Sequence, residues 1–278
     1  METVAFVGTG LMGASFGLAL KKAGFDGKIA GVSSPAAIEE ALDHGAIDFA
    51  APLEEAVAAA GLVYLAQPIS RIIETIAKIG PFLRPDALVT DAGSTKVRIC
   101  EQALRNLPLG QFLGAHPLAG KEKRGAREAD AGLFAGRPYV LTPVDAGQME
   151  TAAVREFLKW LGAIDARVAI MSAEEHDRVV AYTSHLPQLL STTLAATLAE
   201  RLAPGEVRIS GPGLADALRL AGSAYEIWVD ILATNPGPIE TALDAAIARL
   251  QELRSNLNSS QTGRTFEIAN EVSARARR

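Results

Sequence analysis

Cysteine is nearly absent from this chain. Of 278 residues only Cys100 carries a thiol, so no internal disulfide can form. Its setting, Val97-Arg98-Ile99-Cys100, reads as a buried helical position, which argues against a nucleophile there. No apolar run reaches membrane-spanning length, so no membrane anchor is expected. No basic stretch is long enough to track a phosphate backbone. Lys and Arg number 27 against 32 Asp and Glu, a net charge of -5, and nucleic acid is not an expected partner. The basic tail Arg275-Ala276-Arg277-Arg278 reads as a solvated end. The chain starts on its first strand, so no signal peptide is expected and a cytoplasmic location is. Neither an internal repeat nor a low-complexity linker interrupts it.

What is present begins at once. Thr3 to Val7 is a short apolar run rich in branched residues, the pattern of a buried strand. It runs into Gly8-Thr9-Gly10-Leu11-Met12-Gly13, and Leu11 to Ala23 then has helical spacing. Strand, GxGxxG and helix in that order predict a dinucleotide site. Gly8 allows the tight turn, Gly10 lets backbone approach a pyrophosphate, and Gly13 lets the helix pack on the strand. The helix N-terminus offers free N–H groups and partial positive charge to the phosphates.

The length suits two domains. Strand patterns at Thr3–Val7, Lys28–Val32, Leu62–Ala66, Ala87–Asp91, Phe112–Ala115 and Pro138–Thr142 alternate with helical ones at Leu11–Ala23, Pro35–His44, Leu53–Ala60, Ser70–Ile79 and Thr95–Leu107. Such alternation predicts an α/β fold with a doubly wound parallel Rossmann sheet. From about Ala146 the rhythm is lost. After one strand pattern at Ala166–Ile170 the chain reads as helices: a long one over Ala173–Arg201, then Ala224–Leu232 and Ile239–Leu257. The expected division is a dinucleotide-binding domain over 1–146 and an all-helical substrate-binding and dimerisation domain over 147–278. The Ala- and Leu-rich helices predict a homodimer, because they carry more apolar surface than one small helical domain buries.

A second absence concerns the cofactor. An NAD-binding unit places a carboxylate about 20 positions past the glycines to bond the ribose 2′-OH. Here Ser33 stands 20 residues after Gly13, followed by Ser34 and Pro35, with no carboxylate until Glu39. Serine hydroxyls can donate to a 2′-phosphate that a carboxylate would repel. NADP is therefore favoured, with NAD still open, since no Arg follows to clamp the phosphate. Alternatively, Ser33 and Ser34 only cap the helix that starts at Pro35.

Ligands of a doubly wound sheet sit beyond the carboxyl ends of its strands. Three polar clusters fall there: Gln67-Pro68, Asp91-Ala92-Gly93-Ser94-Thr95-Lys96 and His116-Pro117-Leu118-Ala119-Gly120-Lys121-Glu122. Pro68 also serves to end its strand. A histidine at a strand end is well placed to handle a proton near neutral pH. The plainer readings are a loop hydrogen bond for His116 and a helix N-cap for Ser94.

Together GTGLMG, DAGSTK, HPLAGKEKRG and SHLP resemble the prephenate/arogenate (cyclohexadienyl) dehydrogenases of tyrosine biosynthesis, with the motifs in that family's order over nearly the whole chain. The resemblance implies NAD(P)-dependent oxidation of a cyclohexadienol, with loss of CO2 and aromatisation. It implies that His116 accepts the proton of the substrate hydroxyl and that Ser94 orients that hydroxyl. Ser184-His185-Leu186-Pro187-Gln188 would contribute to the substrate pocket, with a kink or break where Pro187 cannot donate to Thr183. Gln188 stands where family members can carry a second histidine. Its neutral amide supplies no positive charge, so arogenate use is expected beside prephenate. Arg219 matches a carboxylate-binding arginine, otherwise a surface ion pair, although Ala215 replaces a basic residue common in that segment. Trp228 lines the pocket, from the same or the other subunit, or is core. His176 and His185, nine apart, lie on opposite faces of an ideal helix, so no shared metal site is expected and His176 has no assigned role.

The competing readings are a related dehydrogenase for an amino-deoxy prephenate analogue or a 3-hydroxy acid, and a non-catalytic NADP-binding sensor. A 3-hydroxy acid enzyme usually needs a helical-domain lysine, and Ala173–Glu200 contains none. A sensor would not need Ser94, His116 and Arg219 together.

Overall fold

A computed structural model of the protein describes residues 1–121, 123–145 and 147–276. The expectations for Glu122 in the third loop cluster, for Ala146 as a boundary and for Arg277 and Arg278 in the tail lie outside the described residues.

Strand β1 (Thr3–Val7) shows how the sheet is covered. Val4 and Phe6 face one apolar layer and Ala5 and Val7 the other, the period-two alternation of a strand buried on both sides. The scarce aromatics concentrate in the first layer, where the rings of Phe16 and Tyr64 stack 4.6 Å apart and the Tyr64 and Tyr139 hydroxyls meet at 3.2 Å. The second layer is aliphatic, built on Val63, Leu65, Ile72, Ile76 and Val89.

Helix α1 (Leu11–Lys22) follows β1, then β2 (Lys28–Val32), α2 (Pro35–Asp43), β3 (Phe49–Ala50), α3 (Leu53–Ala59), β4 (Leu62–Leu65), α4 (Ile69–Ile79), β5 (Leu88–Asp91), α5 (Val97–Asn106) and β6 (Phe112–Pro117). After a long connection come β7 (Pro138–Pro143), α6 (Ala152–Ala163) and β8 (Arg167–Ile170). The eight strands lie in the order β3-β2-β1-β4-β5-β6-β7-β8. All neighbours are parallel except β6 and β7, where His116 pairs with Val140 in an antiparallel register. The parallel sheet expected is thus a parallel-dominated mixed sheet. β8 pairs with β7, so the sheet continues past residue 146, and the change to helices falls after Ile170. The edge strand β3, only two residues long, leaves no readable pattern.

The remainder is helical: α7 (Ala173–Val180), a π-helical turn (Ala181–His185), α8 (Leu186–Arg201), α9 (Pro212–Leu218), α10 (Tyr225–Thr234), α11 (Pro236–Ser255) and α12 (Ser260–Ala276). The single helix read over Ala173–Arg201 is therefore two, joined by the π turn. Pro187 sits in the first turn of α8, where its missing N–H costs nothing, and the disruption appears one turn earlier. No helix among the described residues is long and apolar enough to cross a membrane.

Candidate active site

The glycine turn has the geometry its sequence demands. Gly8 has φ +100°, a conformation L side chains rarely adopt, and a Cβ there would lie 2.5 Å from the Ala66 carbonyl oxygen. A Cβ on Gly13 would overlap the Gly8 carbonyl. Gly10 faces open space: a Cβ added there would meet nothing within 4 Å. α1 begins there with no side-chain cap and no acidic residue in its first turn, so its N–H groups remain available to an anion. Buried Thr9 ties the turn to α2 by donating to the Ala37 carbonyl at 3.1 Å. Leu11 and Met12 turn partly into the core. These features fit the pyrophosphate of a nicotinamide dinucleotide.

Ser33 and Ser34 lie exposed just after β2. Ser34 occupies the N-cap position of α2, yet its hydroxyl makes no capping bond. Gln67 and Pro68 follow β4. Gln67 accepts from Thr75 Oγ1 at 2.8 Å, and Pro68 precedes the first turn of α4.

The end of β5 is bound to the end of β6 by a buried ion pair. Lys96 Nζ donates to Asp91 and, at 2.7 Å, to the Ala115 carbonyl; Asp91 Oδ1 accepts from Ala115 N at 3.0 Å. This fixes the backbone immediately before His116. α5 starts at Val97, and its N-terminus is capped from the helical region: Asp177 Oδ1 accepts from Lys96 N at 2.7 Å and Oδ2 from Val97 N at 2.9 Å. Ser94 is thus not the cap of this helix, and it lines the cleft with His116.

His116 Nδ1 lies 2.8 Å from His176 Nε2, and His176 Nδ1 lies 2.8 Å from Asp177 Oδ1. His176, which the sequence left without an assigned role, is thus in direct contact with His116. Residues 176 and 185 take opposite faces only on an unbroken α-helix, and the π turn resets the register between them. Both rings reach one buried network, with Asn235 Nδ2 donating to the Asp177 carbonyl at 2.8 Å and lying 3.4 Å from His185 Nδ1. No metal-ligating cluster occurs among the described residues. Burial, then the neighbouring His176 and Lys96, hold His116 well below the ordinary imidazole pKa. Burial likewise pushes His185 down to about 4, with Asp177 opposing.

Two open clefts, of about 840 and 730 Å³, adjoin at Gly120, Lys121 and Ile227. The first holds His116, Ser94, Ser184 and Trp228, all from one chain. His185 stands behind Trp228, ring to ring at 5.9 Å, and does not line the cleft. The second holds Gln188 and Arg219 with Lys121, Lys123 and Arg124. Arg219 forms no ion pair among the described residues, so the surface-pair alternative is not what the structure shows. Gln188 Nε2 donates to the Leu220 carbonyl at 2.8 Å and to Thr192 Oγ1 at 3.1 Å. Sequence reasoning missed His176, Asp177 and Asn235. The adjacent His-Asp pair was the one signal available.

Comparisons with known proteins identify the family. Residues 16–169 match the family model described as prephenate dehydrogenase, nucleotide-binding domain, and residues 172–271 match prephenate dehydrogenase, dimerization domain. The chain belongs to the prephenate dehydrogenase family. It is 32% identical over 263 residues to a prephenate dehydrogenase of Lactococcus lactis, covering 93% of this chain and 70% of that protein. A solved prephenate dehydrogenase from Aquifex aeolicus, in complex with hydroxyphenyl propionate and NAD+, superposes with a TM-score of 0.89 at 30% identity, covering 99% of this chain and 97% of that one. The arogenate dehydrogenase of Synechocystis superposes with a TM-score of 0.82 at 28% identity, covering 99% of each chain.

Proposed function

We propose that this member of the prephenate dehydrogenase family oxidises and decarboxylates prephenate, arogenate or both, with a nicotinamide cofactor, in tyrosine biosynthesis. The observation that carries the reading is His116, held through Nδ1 by a buried partner while sharing with Ser94 a cleft beyond the carboxyl ends of the strands. When bound, the nicotinamide accepts the hydride. Ser94 orients the substrate hydroxyl, and His116 Nε2 takes its proton as the carbonyl forms, a contribution of about 10²–10⁴-fold. The ring carboxylate then leaves as CO2, driven by aromatisation.

Arg219 binds a carboxylate of the dianionic substrate, in the adjoining cleft rimmed by Lys121, Lys123 and Arg124. Both N–H groups of Gln188 are engaged by protein acceptors, which leaves Oε1 as the group free to receive a donor. An ammonium is such a donor, and this supports acceptance of arogenate. The free Ser34 hydroxyl and the lack of a carboxylate beside Ser33 support NADP use at least as good as NAD. Apolar side chains exposed along the helical half support a homodimer formed there.

The test is a matrix of initial rates with each substrate and each cofactor, following cofactor reduction in the ultraviolet and CO2 release together. Equal rates of both signals are expected with at least one substrate. Cofactor binding without reduction by either substrate would favour the sensor instead.

A further inference from the structure

Resting on that reading, we propose that Asp177 and His176 are positioning residues that hold His116 in the tautomer with a bare Nε2, the form able to take the substrate's proton. With His176 neutral, the donors and acceptors along the chain admit one consistent arrangement. Both Asp177 oxygens accept backbone N–H bonds, from Lys96 and Val97, as an ionised carboxylate does. Asp177 Oδ1 also faces His176 Nδ1 at 2.8 Å, so that nitrogen carries a proton. A neutral imidazole has one N–H, which makes His176 Nε2 an acceptor. His116 Nδ1, 2.8 Å away, must then be the donor, and the lone pair is left on Nε2.

The alternative is a protonated His176, which would donate to His116 and put the proton on the wrong nitrogen. That would add a cation to a fully buried ring, close to His116, whose surroundings already hold Lys96. The charged and titratable groups facing His116 are His176 from α7, Lys96 from the segment before α5 and His185 from the π turn, with Asp91 bound to Lys96 and Asp177 to His176. When His116 accepts the proton its Nδ1–H stays bonded to His176. The new positive charge is then one ring away from the Asp177 carboxylate. Asn235 holds the Asp177 carbonyl in turn, so the helical region supplies the support and the sheet supplies the base.

The test is imidazole nitrogen NMR of the full chain labelled with ¹⁵N-histidine, with kinetics of three variants. In the wild type at neutral pH, His116 is expected to show a protonated Nδ1 and a bare Nε2. Asp177→Asn removes the charge and leaves one acceptor oxygen for three donors, so it should loosen the hold on both rings and lower kcat by about 10²–10⁴-fold with cofactor KM changed less than about twofold. His176→Leu should lower kcat by more than about tenfold, while His176→Gln, whose amide oxygen can accept from Nδ1, should restore most of it. A wild-type His116 protonated at Nε2 would overturn the proposal, as would His176→Leu with unchanged kcat and tautomer. The wild-type spectrum decides even if a variant fails to fold. It also needs no turnover, so an error in the substrate reading shows separately, as an inactive wild type.

Discussion

At the centre of the sheet the side chains of β1, β4 and β5 vanish between two apolar layers. Beyond Ile170, the buried apolar side chains among the described residues are Val180, Ala181, Ile231, Ile239 and Ala242. Of these, Ala181, Ile231, Ile239 and Ala242 merge into the sheet's second layer rather than forming a core of their own. Meanwhile Phe266, Ile268 and Val272 on α12 are 64%, 62% and 56% exposed, and α12 buries no residue at all. The first half has a buried core on both faces of its central strands. The helical half leaves much of its apolar surface uncovered, and the family's dimerization domain matches that stretch over residues 172–271. In the proposed reading the same division runs through the chemistry: the sheet half carries the proposed base, His116, and the glycine turn, and the helical half carries the proposed carboxylate grip, Arg219.

Substitutions in each half should expose this division. The largest effect is expected at His116. His116→Asn should lower kcat by about 10²-fold or more while leaving cofactor binding nearly intact; isothermal titration and steady-state rates check both. Arg219→Ala should act in KM, weakening prephenate and arogenate alike by about tenfold to a hundredfold, the loss of about 1.5–3 kcal/mol for a charged hydrogen bond.

A paired change on α12, Phe266→Asp with Ile268→Asp, should convert a dimer to a monomer without melting the sheet half. Light scattering together with circular dichroism reads this; a wild-type mass already monomeric at micromolar concentration would remove the dimer.

Acid should reveal a further, smaller difference. His116 and His185 are buried with depressed pKa values, so protonation favours the unfolded chain. Their stability contribution is complete above the ordinary histidine value of about 6.5 and is lost as pH falls below it. For His185 that loss spans the range down to about 4. The thermal midpoint should therefore drop over this window, and His185→Gln should flatten the drop. Activity should persist below the usual histidine range, since His116 stays neutral there. The smallest expected effect is Ser33→Asp, a shift of cofactor preference towards NAD measured as the ratio of kcat/KM values.

Much of this was legible from local pattern. β1, β2 and β4 are apolar runs with turn residues after them, and the glycine turn states its own geometry. His116 and Ser94 stood out as candidates because one lies near the end of β6 and the other just after β5, and ligands of such a sheet sit beyond strand ends. β3 is too short to carry a period. β8 was visible as a strand, but not that it joins the sheet, since that depends on pairing with β7. That His176 and His185 reach one network was hidden by the π turn, which no periodicity rule anticipates. The capping of α5 by Asp177 joins residues about 80 positions apart, so nothing near Ser94 revealed that its hydroxyl is not needed as a cap.

The proposed division of labour, a base on the sheet and a grip on the helices, is tested most directly by two variants, His116→Asn and Arg219→Ala, with kcat and substrate KM measured side by side. The expected result is crossed: kcat falls in the first with KM little changed, and KM rises in the second with kcat little changed. A His116→Asn enzyme with near-normal kcat, or the same pattern in both variants, would contradict it.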